Sequence, residues 1–333
     1  MRNLIFILFI IVITSCTKSS SDYISFSGFT QGTTYSITYE SSDNIIFKDQ
    51  VETILANFDT SLSTYIQQSL ITKLNNNQLN KLDYYTQTVL SKSEEVYYKT
   101  NGAFDVTVAP LVNLWGFGFK KKEKVTNAKI DSILEFVGFC NVCVKDSILI
   151  KKDPRITIDV NAIAQGYSVD IVADFLEQQG IINYLVEIGG ELKTKGVNKK
   201  GKNWRIGIDK PIDNNNSPGE NLQAIIKLSN KSLATSGNYR KFYERNGIKY
   251  SHTINPKTGY PVTHTLLSTT VIANDCMTAD AYATAFMVIG LEKALKLVNT
   301  LPNIDAYFIF SDKNGNYQVK STELMKDLIS EVK

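Results

Sequence analysis

Apolar positions along the chain recur with two periods, and each period predicts an element. Residues 33–39 (TTYSITY) are dense in β-branched and aromatic side chains and predict an opening strand. From 47 to 58, Val51, Ile54, Leu55 and Phe58 recur at helical spacing. Residues 79–100 predict a second amphipathic helix, ended by Asn101-Gly102. Residues 155–160 alternate as a strand should. The helix predicted over 166–179 places Val169, Val172, Phe175 and Leu176 on one stripe and stops at Gly180. Strands are predicted over 184–188 and 204–208, with a Lys/Gly turn between them, and over 268–273 and 306–310. Helices are predicted over 278–289, stopped by Gly290, and over 291–299. The most loop-like stretch is 213–220 (DNNNSPGE). Strands and helices interleave without a strict βα repeat, which implies an α+β or mixed α/β fold.

The N-terminus departs from this pattern. Met1-Arg2-Asn3 precedes ten unbroken apolar residues, 4–13. A bilayer span needs about 20, so this is the hydrophobic core of an export signal. The stretch closes in Ile13-Thr14-Ser15-Cys16 and resembles a bacterial lipoprotein signal. That resemblance implies a signal peptide over 1–15, lipidation at Cys16, a lipid-anchored tether over 16–24 and a folded body over 25–333. It also implies a place in the bacterial cell envelope, at the periplasmic face of the inner membrane.

The chain has 333 residues, 43% hydrophobic and 21% charged, with a formal net charge of +3. These values exclude disordered, collagen-like and disulfide-scaffold classes, and so near-balanced a charge argues against a nucleic-acid partner. The Lys-rich runs at 120–124 and 199–202 read as solvated loop tips. Beyond Cys16 stand Cys140, Cys143 and Cys276. Cys140-Asn-Val-Cys143 has redox-motif spacing but lies in loop and strand, without the helix N-terminus that stabilises a thiolate. Buried, inert thiols are expected.

Four segments have the composition of a chemical site. In 102–118 (GAFDVTVAPLVNLWGFG), aromatic and glycine residues would either wall a flat ring system or pack a core turn through Phe104 and Trp115. Residues 159–166 (DVNAIAQG) join a strand to a helix N-terminus, a junction that serves as an anion site or simply as a turn. The segment 251–261 carries His252, one of two histidines, beside a rigid Pro/Gly turn, where it could transfer a proton or merely hydrogen-bond. In the fourth, Asp280 and Thr284 stand at i and i+4 on one helix face. A carboxylate and a hydroxyl are hard oxygen ligands suited to Mg²⁺ completed by phosphate and water, although Asp280 could equally complement the helix dipole.

Taken together these segments resemble the ApbE family of FAD:protein FMN transferases. The matching stretches are 32–39 (GTTYSITY), 62–65 (LSTY), 102–118, 159–170 (DVNAIAQGYSVD), 183–196 (NYLVEIGGELKTKG), 233–240 (LATSGNYR), 251–262 (SHTINPKTGYPV) and 276–290 (CMTADAYATAFMVIG). The resemblance implies an ApbE-type fold, two intertwined α/β lobes with mixed sheets and an FAD site between them. It implies Mg²⁺-dependent cleavage of the FAD pyrophosphate, transfer of FMN to a Thr or Ser hydroxyl of an acceptor protein, and release of AMP. The acceptor would be a subunit of a membrane redox complex. By matching positions, Ala162, Asp280 and Thr284 would hold the metal. Gln31, Tyr65, Ala103, Phe104, Asp105, Asp159, Gln165 and His252 would line the FAD site, with His252 or Asp280 accepting the proton. The chain departs from the family pattern at Gln31 (often Met), 69–75, Gln165 (Lys) and Asn255 (Asp). Two rival functions use the same site: an FAD pyrophosphatase, and a non-catalytic FAD-binding lipoprotein.

Overall fold

Aromatic and β-branched residues at alternate positions bury Tyr35, Ile37 and Tyr39 on one face of the first predicted strand. They pack there against Val51 and Leu55 and against the 169–176 stripe. These contacts come from a computed structural model that describes residues 22–118, 124–212, 219–238, 242–245 and 248–331. The expected signal peptide and Cys16, part of the 120–124 lysine run and most of the 213–220 loop lie outside the described residues.

In chain order the elements are β1 (Asp22–Thr30), β2 (Thr33–Ser41), α1 (Lys48–Leu62), α2 (Leu70–Asn75), α3 (Tyr84–Lys99), α4 (Ala109–Trp115), α5 (Asn127–Leu134), β3 (Val142–Lys145) and β4 (Ile148–Lys151). Next come α6 (Ala164–Gln178), β5 (Tyr184–Ile188), β6 (Glu191–Lys195), β7 (Trp204–Asp209), β8 (Leu222–Leu228), β9 (Lys231–Gly237), β10 (Phe242–Arg245) and β11 (Ile248–Ser251). The last are β12 (Leu266–Ala273), α7 (Cys276–Ile289), α8 (Leu291–Val298), β13 (Asp305–Ser311), β14 (Tyr317–Ser321), α9 (Glu323–Leu328) and β15 (Ile329–Glu331). The fold is mixed α/β. An eight-stranded sheet, ordered β1-β2-β5-β6-β9-β12-β13-β14, runs through both helical halves. Every pairing between these strands is antiparallel, so the mixed sheets expected from the resemblance are corrected to an antiparallel one.

Helices cover one face. On the β2–β5 half, α1 and α6 supply Val51, Leu55, Val169, Val172 and Leu176. On the β9–β12–β13 half, α3 and α7 bring Val89, Leu90, Tyr282 and Phe286 against Ala234, Val271 and Phe308. The opposite face of that second half buries Leu233, Ile272, Tyr307 and Ile309 against Trp204, Ile206, Ile226 and Met325, from the β15-β8-β7 sheet and α9. Among the described residues no helix is long and apolar enough to cross a membrane.

Several elements differ from their sequence reading. Residues 22–24, assigned to the tether, are already strand, and β1, β6 and α2 carry no expectation. The helix expected over 79–100 begins only at Tyr84, because the Asp83 side chain accepts the Thr86 N–H and caps it. Residues 155–160 do alternate in burial, with Ile156, Ile158 and Val160 inside, yet they form no strand. Their partner is a side chain: Asn75 Nδ2 donates to the Ile158 carbonyl (2.8 Å), and the Ile158 N–H donates to Asn75 Oδ1 (2.7 Å). The expected burial of the cysteines holds for Cys276 alone. Cys140, in the turn before β3, and Cys143, on the outer face of the small β3–β4 hairpin, are both exposed.

Asn75→Ala would strip both partners from the Ile158 backbone, a loss of about 2–3 kcal/mol. Urea unfolding is expected to show a lower midpoint with an unchanged slope, and an unchanged midpoint would deny Asn75 this role.

Candidate active site

Two helix N-termini meet at the centre of the fold, and each is met by the other helix's carboxylate. Asp280, in the second turn of α7, accepts the Gly166 N–H of α6 at Oδ2 (3.1 Å). Asp170, in the second turn of α6, accepts the Cys276 and Met277 N–H groups of α7, both at 2.9 Å. These bonds use N–H groups that helices cannot satisfy internally. They also place each negative charge at the positive end of a helix dipole. Only glycine fits the crossing, since a Cβ on Gly166 would stand 2.4 Å from the Cys276 carbonyl oxygen and 2.8 Å from Asp280 Cβ.

The two carboxylates differ in their counter-charge. Lys193 Nζ lies 3.3 Å from Asp170 Oδ1. Among the described residues no cation faces Asp280. Burial pushes Asp170 up to about 6 and Asp280 up to about 7, in each case against hydrogen bonds that pull the other way. Cys276 lies wholly buried beside these carboxylates, and its thiol is raised by the same loss of solvent.

Around this crossing the four sequence segments converge through contacts that link them in turn. Thr284, one turn beyond Asp280, has its Oγ1 3.1 Å from Ser236 Oγ on β9. Two residues on, Asn238 Oδ1 accepts the Thr253 hydroxyl (2.6 Å), which fastens the loop carrying His252 to the end of β9. His252 is half-buried, its ring edge-on to Phe117 at 6.4 Å between centroids. The same loop packs on the 102–118 segment, where Trp115 Nε1 donates to the Gly259 carbonyl (2.7 Å). That segment in turn meets the α6 entry, since the Asp159 N–H donates to the Val106 carbonyl (2.6 Å).

Within 102–118 the core reading prevails. Ala103 and Phe104 are buried, and the Phe104 ring belongs to the main core. Trp115 packs with Leu111, Ile130 and Ile254. Any surface these residues offer a ligand is backbone. Asp105 turns inward too: its Oδ1 accepts both the N–H (2.8 Å) and the hydroxyl (2.7 Å) of Thr107, and burial raises it to about 6.

At the α6 entry, Asp159 Oδ1 accepts the Asn161 N–H (3.0 Å), and burial raises its pKa. That turn carries Ala162 to the start of α6. Thr64 reaches Asn161 Oδ1 at 3.4 Å, which sets the neighbouring Tyr65, 70% exposed, beside the same turn. Gln31, at φ +52° in the β1–β2 turn, accepts the Ser168 hydroxyl of α6 at 3.3 Å. Gln165 is engaged with protein: its Nε2 donates to the Ile188 carbonyl (3.0 Å) and to Glu191 Oε2 (2.6 Å).

Sequence reasoning overlooked Ser236, Asn238, Asp170 and Lys193. All four lie inside the segments that carried the resemblance, but their roles depend on contacts between segments.

Comparison with known proteins gives one consistent result. The ApbE family model matches residues 31–308. An FAD:protein FMN transferase of Haemophilus influenzae is 38% identical over 330 residues, covering 94% of this chain and 93% of the relative. Another, from Vibrio cholerae, is 36% identical over 314 residues, covering 91% and 92%. Among solved structures, the flavin transferase ApbE from Vibrio cholerae has a TM-score of 0.82 at 34% identity, covering 92% of this chain and 99% of that one. The ApbE protein of Thermotoga maritima has a TM-score of 0.80 at 27% identity, covering 93% and 100%.

Gly166→Ala is expected to force α6 and α7 apart and to cost about 1–3 kcal/mol, read from the denaturation midpoint; an unperturbed protein would show that the crossing is looser than described. Asp170 makes stability pH-dependent. Its folded value of about 6 lies above the ordinary 3.8, so between these values the native state keeps a proton that the unfolded chain has released. Stability therefore falls as pH rises from about 4 to about 6, by on the order of 3 kcal/mol from this group. Asp170→Asn should flatten that part of the stability–pH curve, and an unaltered slope would contradict the assignment.

Proposed function

The chain belongs to the ApbE family, and on that premise we propose that it is an FAD:protein FMN transferase working with Mg²⁺. In the proposed reaction a Thr or Ser hydroxyl of an acceptor protein attacks the flavin-side phosphorus of FAD. A phosphoester to FMN forms, the pyrophosphate P–O bond breaks, the hydroxyl gives up its proton, and AMP leaves.

The observation that carries this reading is Asp280: a buried carboxylate with no cation among the described residues, held by the Gly166 N–H one helical turn from the Thr284 hydroxyl. The donor chemistry fits Mg²⁺. No group of three or more His, Cys, Asp and Glu side chains forms a metal cluster among the described residues, so a soft or carboxylate-rich site is not on offer. The Asp280 carboxylate, the Thr284 hydroxyl and the Ala162 carbonyl would hold the ion as hard oxygen donors. When bound, it would supply neutralisation of the pyrophosphate's charge.

The remaining work belongs to the chain. The Gly166 N–H fixes the rotamer of Asp280, and Ser236 orients the Thr284 hydroxyl. Residues 159–165 bring the flavin nucleotide to the α6 N-terminus, whose dipole favours phosphate. Phe104 and Ala103 hold the backbone of 102–105 rigid beneath it, Gln31 and Tyr65 border the flavin side, and Gln165 acts through the β5–β6 turn. His252 is the candidate to accept the acceptor hydroxyl's proton, with Asp280 as the alternative. Cys16 would carry a lipid anchor and hold the enzyme in the cell envelope, facing an acceptor in a membrane redox complex.

Incubation with FAD, Mg²⁺ and an acceptor protein bearing the hydroxyl should add the mass of FMN to the acceptor and release AMP. Free FMN and AMP with an unmodified acceptor would mean a pyrophosphatase, and unchanged FAD a binding protein. Asp280→Ala should lower turnover about 1,000-fold. It should also abolish the Mg²⁺-induced rise in melting temperature seen in the unaltered protein. Because the Asp280 carboxyl sits near 7, ion and proton compete for it, so that rise should grow as pH increases through about 7. Full activity in the variant would remove the metal assignment.

A further inference from the structure

The proposed chemistry makes no use of the basic turn between β6 and β7. Asn198 builds this turn: its Oδ1 accepts the Lys200 (2.9 Å) and Lys202 (3.3 Å) N–H groups, and its Nδ2 donates to the Asn203 carbonyl (2.9 Å). A turn tied in this way presents Lys199, Lys200 and Lys202 in one fixed arrangement, all exposed. Lys199 pairs with Asp22 at 2.8 Å, while Lys200 and Lys202 have no ion-pair partner among the described residues. Just beyond, Arg205 and Lys227 are exposed and directly opposed across β7 and β8. Opposed like charges repel, so an anionic surface laid against this face would relieve them.

The position of this turn suggests what that surface is. Asp22 begins β1, and next to it Tyr23 donates its hydroxyl to the Val197 carbonyl (2.7 Å) and sets its ring against Trp204. The basic turn therefore stands where the chain from Cys16 enters the fold. Residues 17–21 can span at most about 20 Å fully extended. With a lipid at Cys16, the turn lies within that reach of the headgroups.

We propose that the 199–202 turn, extended by Arg205 and Lys227, docks on anionic phospholipid headgroups and stands the enzyme on this end. This rests on the lipid-anchor reading above. The flavin side of the proposed site lies far from this turn: β1 runs nine residues, about 30 Å, from Asp22 to the turn holding Gln31. The turn holding Gln31 then stands away from the bilayer, and the acceptor hydroxyl belongs to a water-exposed part of its protein.

The test uses the mature chain from residue 16 carrying Cys16→Ser, so that no lipid contributes, and vesicles of phosphatidylcholine with or without phosphatidylglycerol. Sedimentation with the anionic vesicles is expected to fall about 100-fold in the triple variant Lys199→Gln, Lys200→Gln, Lys202→Gln, at about fivefold per charge. Added salt should produce a similar loss, and FMN transfer to a soluble acceptor should stay unchanged. Equal binding by the triple variant, equal binding to uncharged vesicles, or an equal loss on replacing Lys293, Lys296 and Lys313 would each overturn the proposal. Failure of the lipid reading registers separately, as an unmodified Cys16 in the wild-type protein isolated from membranes.

Discussion

The exchange of carboxylates between α6 and α7 is the interaction on which the rest of the structure depends. Each helix presents N–H groups it cannot satisfy alone, and each receives an aspartate from its neighbour. The arrangement requires contact between backbones, which is why position 166 carries no side chain. It also requires two negative charges in a region that solvent does not reach, and burial drives both toward their protonated forms. Lys193 offsets one of these charges. The other has no cation among the described residues, and a buried carboxylate so placed marks a candidate for chemistry.

The surrounding segments are arranged to keep that crossing in place. Asn75 pins the chain at Ile158 just before α6, and the Val106 carbonyl holds Asp159 one residue later. On the far side, β9 reaches Thr284 through Ser236 and the His252 loop through Asn238. The aromatic residues of 102–118 stabilise from beneath: Phe104 and Trp115 fill core space, so that the backbone above them has one position. Rigid placement of this kind suits a reaction whose acceleration comes mainly from positioning and charge neutralisation.

Much of this was legible in the sequence, and the limits follow from physics. Helical periodicity located α1, α6 and α8 because each buries one side, whereas α7, buried on nearly every side, was located by its run closing at Gly290. The alternation over 155–160 was real, but alternation reports burial, and a side-chain amide served the backbone as well as a neighbouring strand would. β1 went unread since its partly exposed residues carry no strong apolar pattern. For the site, Asp280 and Thr284 could be paired because one helix carries both. The role of Asp170 could not be read, since it is defined by N–H groups more than a hundred positions away. Phe104 stayed open for the opposite reason: an aromatic beside glycines signals a ring pocket and a core turn equally well, and only the structure shows its ring in the core.

Direction along the fold ties these features to the basic turn. β1 leads from Asp22 to the hairpin at Gln31, and α6 leads back, from Gly166 at the crossing to Gln178 near the start of β5. Asn183, just before β5, accepts the Val197 N–H (2.8 Å), so the C-terminal end of α6 and the basic turn share one end of the molecule. Strand and helix both put length between the basic turn and the α6 entry, about 30 Å along β1 and about 18 Å along α6 from Gly166 to Gln178. Charge at one end and the α6 entry with Gln31 and Gln165 toward the other are held apart by rigid elements. An electrostatic contact that fixes the first end therefore fixes the height of the second, and short-range attraction to headgroups, screened within about 10 Å, cannot draw the site down to the bilayer.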